Sequence, residues 1–177
     1  DLTYHSFRDS NIETYLLAAE YLISKGYYVV RLGDSSMKSL SNFHPNLIDA
    51  PNHPEYCPLV DPYFICNAEF TIASPSGPFH LARLFKKPVL AANSPICHLY
   101  WGHENDVLLP KGYYSKQLGR LLTYKEVLLS PVCEYSMAEE FENSEIELIN
   151  NTPEEILASV KEIESRVSNT YNSPENN

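Results

Sequence analysis

Basic residues are scarce in this chain of 177 residues. It has 13 Lys and Arg against 23 Asp and Glu, so its formal net charge is -10. This charge argues against a bulk electrostatic grip on nucleic acid or on an anionic membrane, and any anion site must be local. Long apolar runs are lacking too, so the sequence predicts no transmembrane segment. With 44% hydrophobic and 20% charged residues, the composition is typical of a soluble globular domain.

Closely spaced metal ligands are also missing. Cys97 and His98 are adjacent and His103 is near, but no further pair completes a tetrahedral site. No two cysteines form a CxxC pair, so no zinc signature is present. We predict no metal and no cofactor, and we expect reduced, mostly buried thiols in a cytoplasmic protein. The cysteines are Cys57, Cys66, Cys97 and Cys133.

Helical and strand patterns alternate along the chain. The residues from Ser10 to Glu13 read as a capping box that begins a helix, and Gly26 ends it. The apolar run 27–32 is typical of a buried parallel strand. Thr152 and the proline after it predict the start of a last helix. Further strands are predicted over residues 47–48, 70–73, 88–92, 107–109 and 146–149, and further helical segments over residues 59–67, 79–85, 124–129 and 137–142.

This alternation predicts an α/β fold with a doubly wound, Rossmann-like parallel sheet. The first helix and the strand after Gly26 form the second half of a βαβ unit. We therefore expect the sheet to be truncated at its amino-terminal side, with the strand before that helix missing. Residues 1–167 are expected to form one incomplete domain. The polar residues 168–177 are expected to form a disordered tail.

The turn from Ser74 to His80 is the strongest candidate for a ligand site. Ligands of doubly wound sheets bind at the carboxyl ends of the strands, and this turn joins such an end to a helix. Gly77 allows a ligand to approach the backbone, and Pro78 fits the first helical turn. The N–H groups of that turn form an anion site, to which Ser74, Ser76 and His80 add polar groups. The alternative is a plain turn in which Ser76 only caps the helix.

Four more residues are assigned to the same ligand, and three of them have a structural alternative. Arg31 and Gly33 end the first predicted strand, where the guanidinium would bind a diphosphate or form a salt bridge at the sheet edge. Arg8 would reach the same cleft, or lie at the surface before the first helix. Asn93 would hold a ribose or sugar hydroxyl, or form a turn.

Part of this turn resembles a segment of glycosyltransferases of the GT-B architecture, which has two Rossmann-like domains. Residues 76–82, Ser-Gly-Pro-Phe-His-Leu-Ala, are followed by Lys87-Pro88-Val89. Together they resemble the segment with which enzymes such as the heptosyltransferases bind the nucleotide diphosphate. The chain differs at Pro75, where those enzymes usually have Asp, and at Lys86-Lys87, where a Gly is usual.

Nearly the whole chain resembles a family of bacterial glycosyltransferases of surface carbohydrates. The resemblance implies the carboxy-terminal, nucleotide-sugar-binding half of a GT-B enzyme. The implied partners are a nucleotide-sugar donor, a glycan or lipid-linked glycan acceptor, and an amino-terminal domain of the same protein. The implied location is the cytoplasm, including the inner face of the membrane. The matching segments are residues 4–15, 26–33, 76–82 and 146–156.

Three functions stay open from the sequence. The first is transfer of a sugar from a nucleotide-sugar to an acceptor, with this chain alone inactive. The second is a nucleotide-sugar epimerase, which needs a pair of carboxylates around the sugar ring; no convincing pair is visible. The third is a non-catalytic module that binds sugar nucleotides. No catalytic residue is assigned, because in inverting GT-B enzymes the base usually comes from the amino-terminal domain.

Overall fold

A computed structural model describes residues 3–40, 43–96 and 102–171 of the chain. Its strands are β1 (Val29–Arg31), β2 (Leu47–Asp49), β3 (Thr71–Ala73), β4 (Val89–Ser94), β5 (Val107–Pro110), β6 (Gly112–Ser115), β7 (Arg120–Leu121) and β8 (Ile146–Ile149). Its helices are α1 (Leu16–Ser24), α2 (Val60–Asn67), α3 (Gly77–Leu84), α4 (Tyr124–Leu128), α5 (Ala138–Glu142) and α6 (Pro153–Val167). Short 3-10 helices cover Thr3–Arg8, Ile12–Tyr15, Ala50–Asn52 and Pro131–Glu134.

The strands form two parallel sheets and one antiparallel sheet. β1 pairs with β2, and β4 lies between β3 and β5, all in parallel. The predicted α/β class with parallel strands is therefore confirmed, as are the parallel strands predicted over 70–73 and 88–92. The expected single sheet is divided, however, because β1 and β3 are not paired with each other.

The centre of the parallel structure is β4, whose six residues are all buried. One face of β4 contributes Leu90 and Ala92 to a core with α1 and α6, built around Ile156 and Val160. The other face contributes Val89 and Ala91 to a core with α2 and α3. Apolar side chains on both faces of a strand are what a sheet covered by helices on both sides requires.

The antiparallel sheet, of order β7-β6-β8, was not predicted. The stretch from residue 112 to 121 contains strands of only four and two residues, too short for a periodic pattern. Its core holds Phe7, Tyr113, Val127, Phe141 and Ile146. The strand predicted over 146–149 is confirmed at full length, and the helix predicted over 137–142 is confirmed but begins one residue later.

Two local expectations were wrong. Asn11, not Ser10, caps the first helical segment, because its side chain accepts the N–H of Glu13, and a 3-10 turn precedes α1. The thiols of Cys57 and Cys66 are exposed rather than buried, and Cys133 is half-buried. The capped start of the last helix is confirmed, since Thr152 and Glu155 form a capping box. The end of the predicted tail, residues 172–177, lies outside the described residues.

Candidate functional site

The carboxyl ends of β1, β3 and β4 lie at one edge of the parallel structure. Leu32, which follows β1, and Ala73, which ends β3, pack against the same apolar cluster. Ala73 also pairs with Ala91 of β4, two residues before Asn93. The ends that carry Gly33, Ser74 and Asn93 are therefore brought to a common edge, where open parallel sheets bind ligands.

The turn between β3 and α3 leaves the helix amino terminus without a side-chain cap. Ser76 occupies the cap position with an extended backbone, but its hydroxyl donates to the Ser74 carbonyl at 2.9 Å and accepts no helix N–H. By contrast, Thr123 and Thr152 accept an N–H at the starts of α4 and α6. The Ser76 side chain therefore does not cap α3, contrary to the alternative considered for this turn.

Gly77 begins α3 at an exposed position, and the fold does not require a glycine there. Its φ is not in the left-handed region. A Cβ built on Gly77 would meet no atom of the described residues within 4 Å. Neither strain nor crowding within the described chain therefore accounts for this glycine. Open space in front of a helix amino terminus is the arrangement that a bound anion needs.

His80 and Pro78 lie on the same first turn of α3. The N–H of His80 donates to the Ser76 carbonyl at 3.2 Å, so its backbone is already within the helix. The His80 side chain is exposed, and its ring lies 5.3 Å from that of Phe79. Pro78 stands in the first turn, where its missing N–H removes no helix hydrogen bond.

The Arg31 guanidinium forms a buried ion pair. Its Nη1 lies 2.9 Å from Oδ1 of Asp49, and the two side chains are only 8% and 7% exposed. The same nitrogen donates to the Lys38 carbonyl. Burial alone would raise the pKa of Asp49, but the N–H of Leu40 and the Arg31 guanidinium outweigh it and hold that pKa below its ordinary value. The salt-bridge alternative for Arg31 matches this geometry.

Gly33 has a conformational reason to be glycine. Its φ is +143°, in the region that disfavours other residues. A Cβ there would also collide with the sulfur of Met37. The carbonyl of Gly33 accepts the Tyr56 hydroxyl at 3.0 Å. This glycine shapes the loop after β1, and a role in ligand binding stays a prediction.

The Asn93 side chain is fully buried and joins three parts of the fold. Its Oδ1 accepts the N–H of Asn151, and its own N–H donates to Asn151 Oδ1, both at 2.7 Å. Its Nδ2 donates to the Tyr15 hydroxyl at 2.9 Å. Asn93 also has a left-handed φ of 52°, which asparagine tolerates well. These bonds hold the start of α6 against β4.

Arg8 lies with the antiparallel part of the fold. It ends the first 3-10 helix, and its guanidinium carbon is 5.7 Å from the centre of the Phe7 ring. Phe7 stacks on Phe141 at 5.5 Å, which fixes this segment against α5. These contacts do not bring Arg8 to the turn before α3, so its assignment to the ligand stays a prediction.

Lys111 is a polar residue of this edge that the sequence reasoning missed. It follows β5 directly, is 3% exposed, and donates from Nζ to the Asp9 carbonyl at 2.7 Å. Burial lowers the pKa of Lys111 to about 8, against the opposing effect of the Asp9 carboxylate. The signal was present in the sequence, since a lysine directly after an apolar strand stands at the ligand-binding edge.

A cavity of about 250 Å³ lies elsewhere in the described part of the chain. It is at the amino ends of β4 and β5, the opposite edge from the turn, and Asp106 and Arg83 line it. Gly102, another lining residue, borders residues 97–101, which lie outside the described part of the chain. We therefore assign no ligand to this cavity.

Residues 3–40, 43–96 and 102–171 contain neither a metal-binding cluster nor a membrane-spanning helix. No group of three His, Cys, Asp or Glu side chains in these ranges could hold a metal ion. No helix in them has the length and apolarity that crossing a membrane requires. Cys97 and His98, considered above as ligands, are not among these residues. Comparison with known protein families, with curated proteins and with solved structures finds no match to this chain.

Proposed function

We propose that this chain is the donor-binding half of a glycosyltransferase that transfers a sugar from a nucleotide-sugar to a surface-carbohydrate acceptor. The observation that carries the proposal is the turn between β3 and α3. It combines a helix start without a side-chain cap, an exposed glycine that the fold does not require, and a position at the carboxyl edge of parallel strands. The resemblance of residues 76–82 to the diphosphate-binding segment of GT-B enzymes supports the same assignment.

The chemistry of sugar transfer suits such a turn. A nucleoside diphosphate leaves the sugar as its negative charge develops, and the enzyme must stabilise that charge. The amino terminus of α3 offers the equivalent of about half a positive charge, together with backbone N–H groups in a fixed direction. Because these donors are preorganised, they need no reorganisation during the reaction. A bound metal ion is not required for this role.

The acceptor and the catalytic base are assigned to another domain. No carboxylate among the described residues is placed here as a base, and the chain alone is expected not to turn over. The proposed partners are therefore an amino-terminal domain, a glycan or lipid-linked glycan acceptor, and the donor itself. The proposed location is the cytoplasm, including the inner face of the membrane.

Calorimetric titration tests the proposal. The chain is titrated with uridine, guanosine and cytidine diphosphates and, as a control, with inorganic phosphate. At least one nucleotide should bind more tightly than phosphate, and Gly77→Val should weaken that binding, because its side chain occupies the open space before α3. If no nucleotide binds, or if Gly77→Val binds the best one as tightly as the wild type, the turn is only structural and the proposal fails.

A further inference from the structure

The two parallel sheets face each other across unpaired strand edges. Tyr27 and Val29 of the β1 segment pack in the same core as Phe70 and Ile72 of the β3 segment, and β2 contributes nothing to that core. On the other face, Leu32 and Ala73 share the second core. The side of β1 away from β2 therefore faces the side of β3 away from β4. We call the space between these two edges the strand gap.

Each of the two strands beside the gap turns backbone N–H and C=O groups into it, and the sheet ladders do not pair these groups. In parallel pairs, alternate residues turn their N–H and C=O groups to opposite sides. The N–H of Val29 donates to the carbonyl just before β2, and that of Thr71 donates to the carbonyl just before β4. Val30 and Ile72 therefore turn their N–H and C=O groups into the gap. Among the described residues, β1 pairs only with β2 and β3 only with β4, so neither Val30 nor Ile72 has a strand partner on the side of the gap. Buried unpaired backbone groups cost free energy, so a native sheet supplies partners for them.

The solvent exposure of the strands beside the gap supports the same conclusion. The residues of β1 and β3 are only half-buried, although helices cover both faces of the parallel structure, whereas all of β4 is buried. The Thr71 hydroxyl is buried without a hydrogen-bond partner in the described structure. The rings of Tyr27 and Phe70, at the start of each edge, are 6.1 Å apart, so side chains bridge the gap where backbones do not pair.

We infer that the strand gap holds one further β-strand, parallel to β1 and β3, apolar on both faces and joined to the amino side of Thr3. A strand fits because its two edges match the two open edges, whereas a helix would leave Val30 and Ile72 unpaired. Both faces of the occupant must be apolar, because each would lie against one of the two cores. Its length is about four residues, to match the three of β1 and of β3.

The position of the first residues identifies the source of the strand. Lys111 and Asn93, at the carboxyl ends of β5 and β4, hydrogen bond Asp9 and Tyr15 respectively. The segment before α1 therefore lies at the edge where a parallel strand in the gap would end. From there the chain continues through α1 to β1, the right-handed crossover that parallel strands adopt. The inference depends on the open edges and does not depend on the proposed function.

Hydrogen exchange with an added strand tests the inference. The chain is fused at its amino terminus to an apolar strand of about four valines and isoleucines through a Gly-Ser linker of about ten residues. The matched control carries two prolines within that strand, which remove ladder donors. Without the strand, the amides of Val30 and Ile72 should exchange much faster than those of Arg31 and Ala73. With it, they should exchange at least tenfold more slowly, and the proline control should show no such change.

Three results would overturn the inference. First, if the Val30 and Ile72 amides were already protected in the chain alone, the edges would not be open. Second, if the added strand left their exchange unchanged, the gap would not accept a strand. Third, if protection of the chain alone rose with its concentration while a dimer formed on size-exclusion chromatography, a second copy of this chain would fill the gap. Slow exchange in the valine fusion, at monomer mass and without effect in the proline control, supports it.

Discussion

Replacing Gly77 with alanine separates a binding role of the turn before α3 from a folding role. The added Cβ would meet no described atom within 4 Å, and the backbone φ at this position is open to any residue. Alanine favours helix over glycine by up to about 1 kcal/mol. The free energy of unfolding of Gly77→Ala should therefore equal that of the wild type or exceed it by up to about 1 kcal/mol.

Nucleotide binding should respond in the opposite direction. A methyl group at Gly77 stands between a phosphate and the first N–H groups of α3. Losing one hydrogen bond to a charged group costs about 1.5–3 kcal/mol, which raises the Kd about 10- to 150-fold. Urea unfolding and calorimetric titration with the best nucleoside diphosphate measure the two quantities on the same sample.

Gly119→Ala is the matched control, because Gly119 also has open space around it but a φ of +65°. Strain in the left-handed region should destabilise this variant by about 1 kcal/mol and leave the Kd unchanged. The reasoning is refuted if Gly77→Ala binds nucleotide as tightly as the wild type. It is equally refuted if both variants lose stability and affinity in parallel, since the turn would then act only through folding.

Three further predictions concern polar groups at the same edge. Ser76→Ala and His80→Ala should each raise the Kd of the best nucleotide, Ser76→Ala about 10-fold or more, without changing acceptor binding, as calorimetry of the variants with donor and acceptor measures. Asp49→Asn should cost about 3–5 kcal/mol near neutral pH, because it leaves the Arg31 charge buried without its partner. Since the folded pKa of Asp49 is depressed, the stabilisation that its carboxylate gives is present above its ordinary pKa of 3.8 and is lost as pH falls through the lower folded value. Urea unfolding as a function of pH should show that Asp49→Asn lacks this pH-dependent part of the free energy of unfolding. Lys111 has a dependence of the same sign at higher pH: its folded pKa of about 8 lies below the ordinary 10.5, so the free energy of unfolding should rise with pH between these values, and Lys111→Met should abolish that rise.

Local patterns predicted the elements that depend on neighbouring residues. The apolar runs of β3 and β4 and the cap at Thr152 are set within a few positions of the sequence, and the structure has them as predicted. The turn from Ser74 to Gly77 also follows from its own residues. What such patterns leave undetermined is which distant groups meet.

The partners of the polar site residues illustrate this limit. Asp49 is 18 residues from Arg31, and Asn151 is 58 residues from Asn93. Nothing in the sequence near Arg31 or Asn93 indicates that these side chains bond to residues far away along the chain. The short strands β6 and β7 were missed for a similar reason, because β6, which pairs with β7, is held in place by the distant strand β8.

Several polar side chains at this edge already have partners within the fold, which reduces the number of groups that could bind an anion there. The Arg31 guanidinium already carries an ion pair with Asp49, and the Asn93 amide is used by Asn151 and Tyr15. Lys111 donates to a backbone carbonyl below the surface. The backbone N–H groups at the start of α3 remain as a source of positive potential at this edge. A chain of net charge -10 gains from such a site, because backbone dipoles attract a phosphate at short range without needing a positive field over the whole surface.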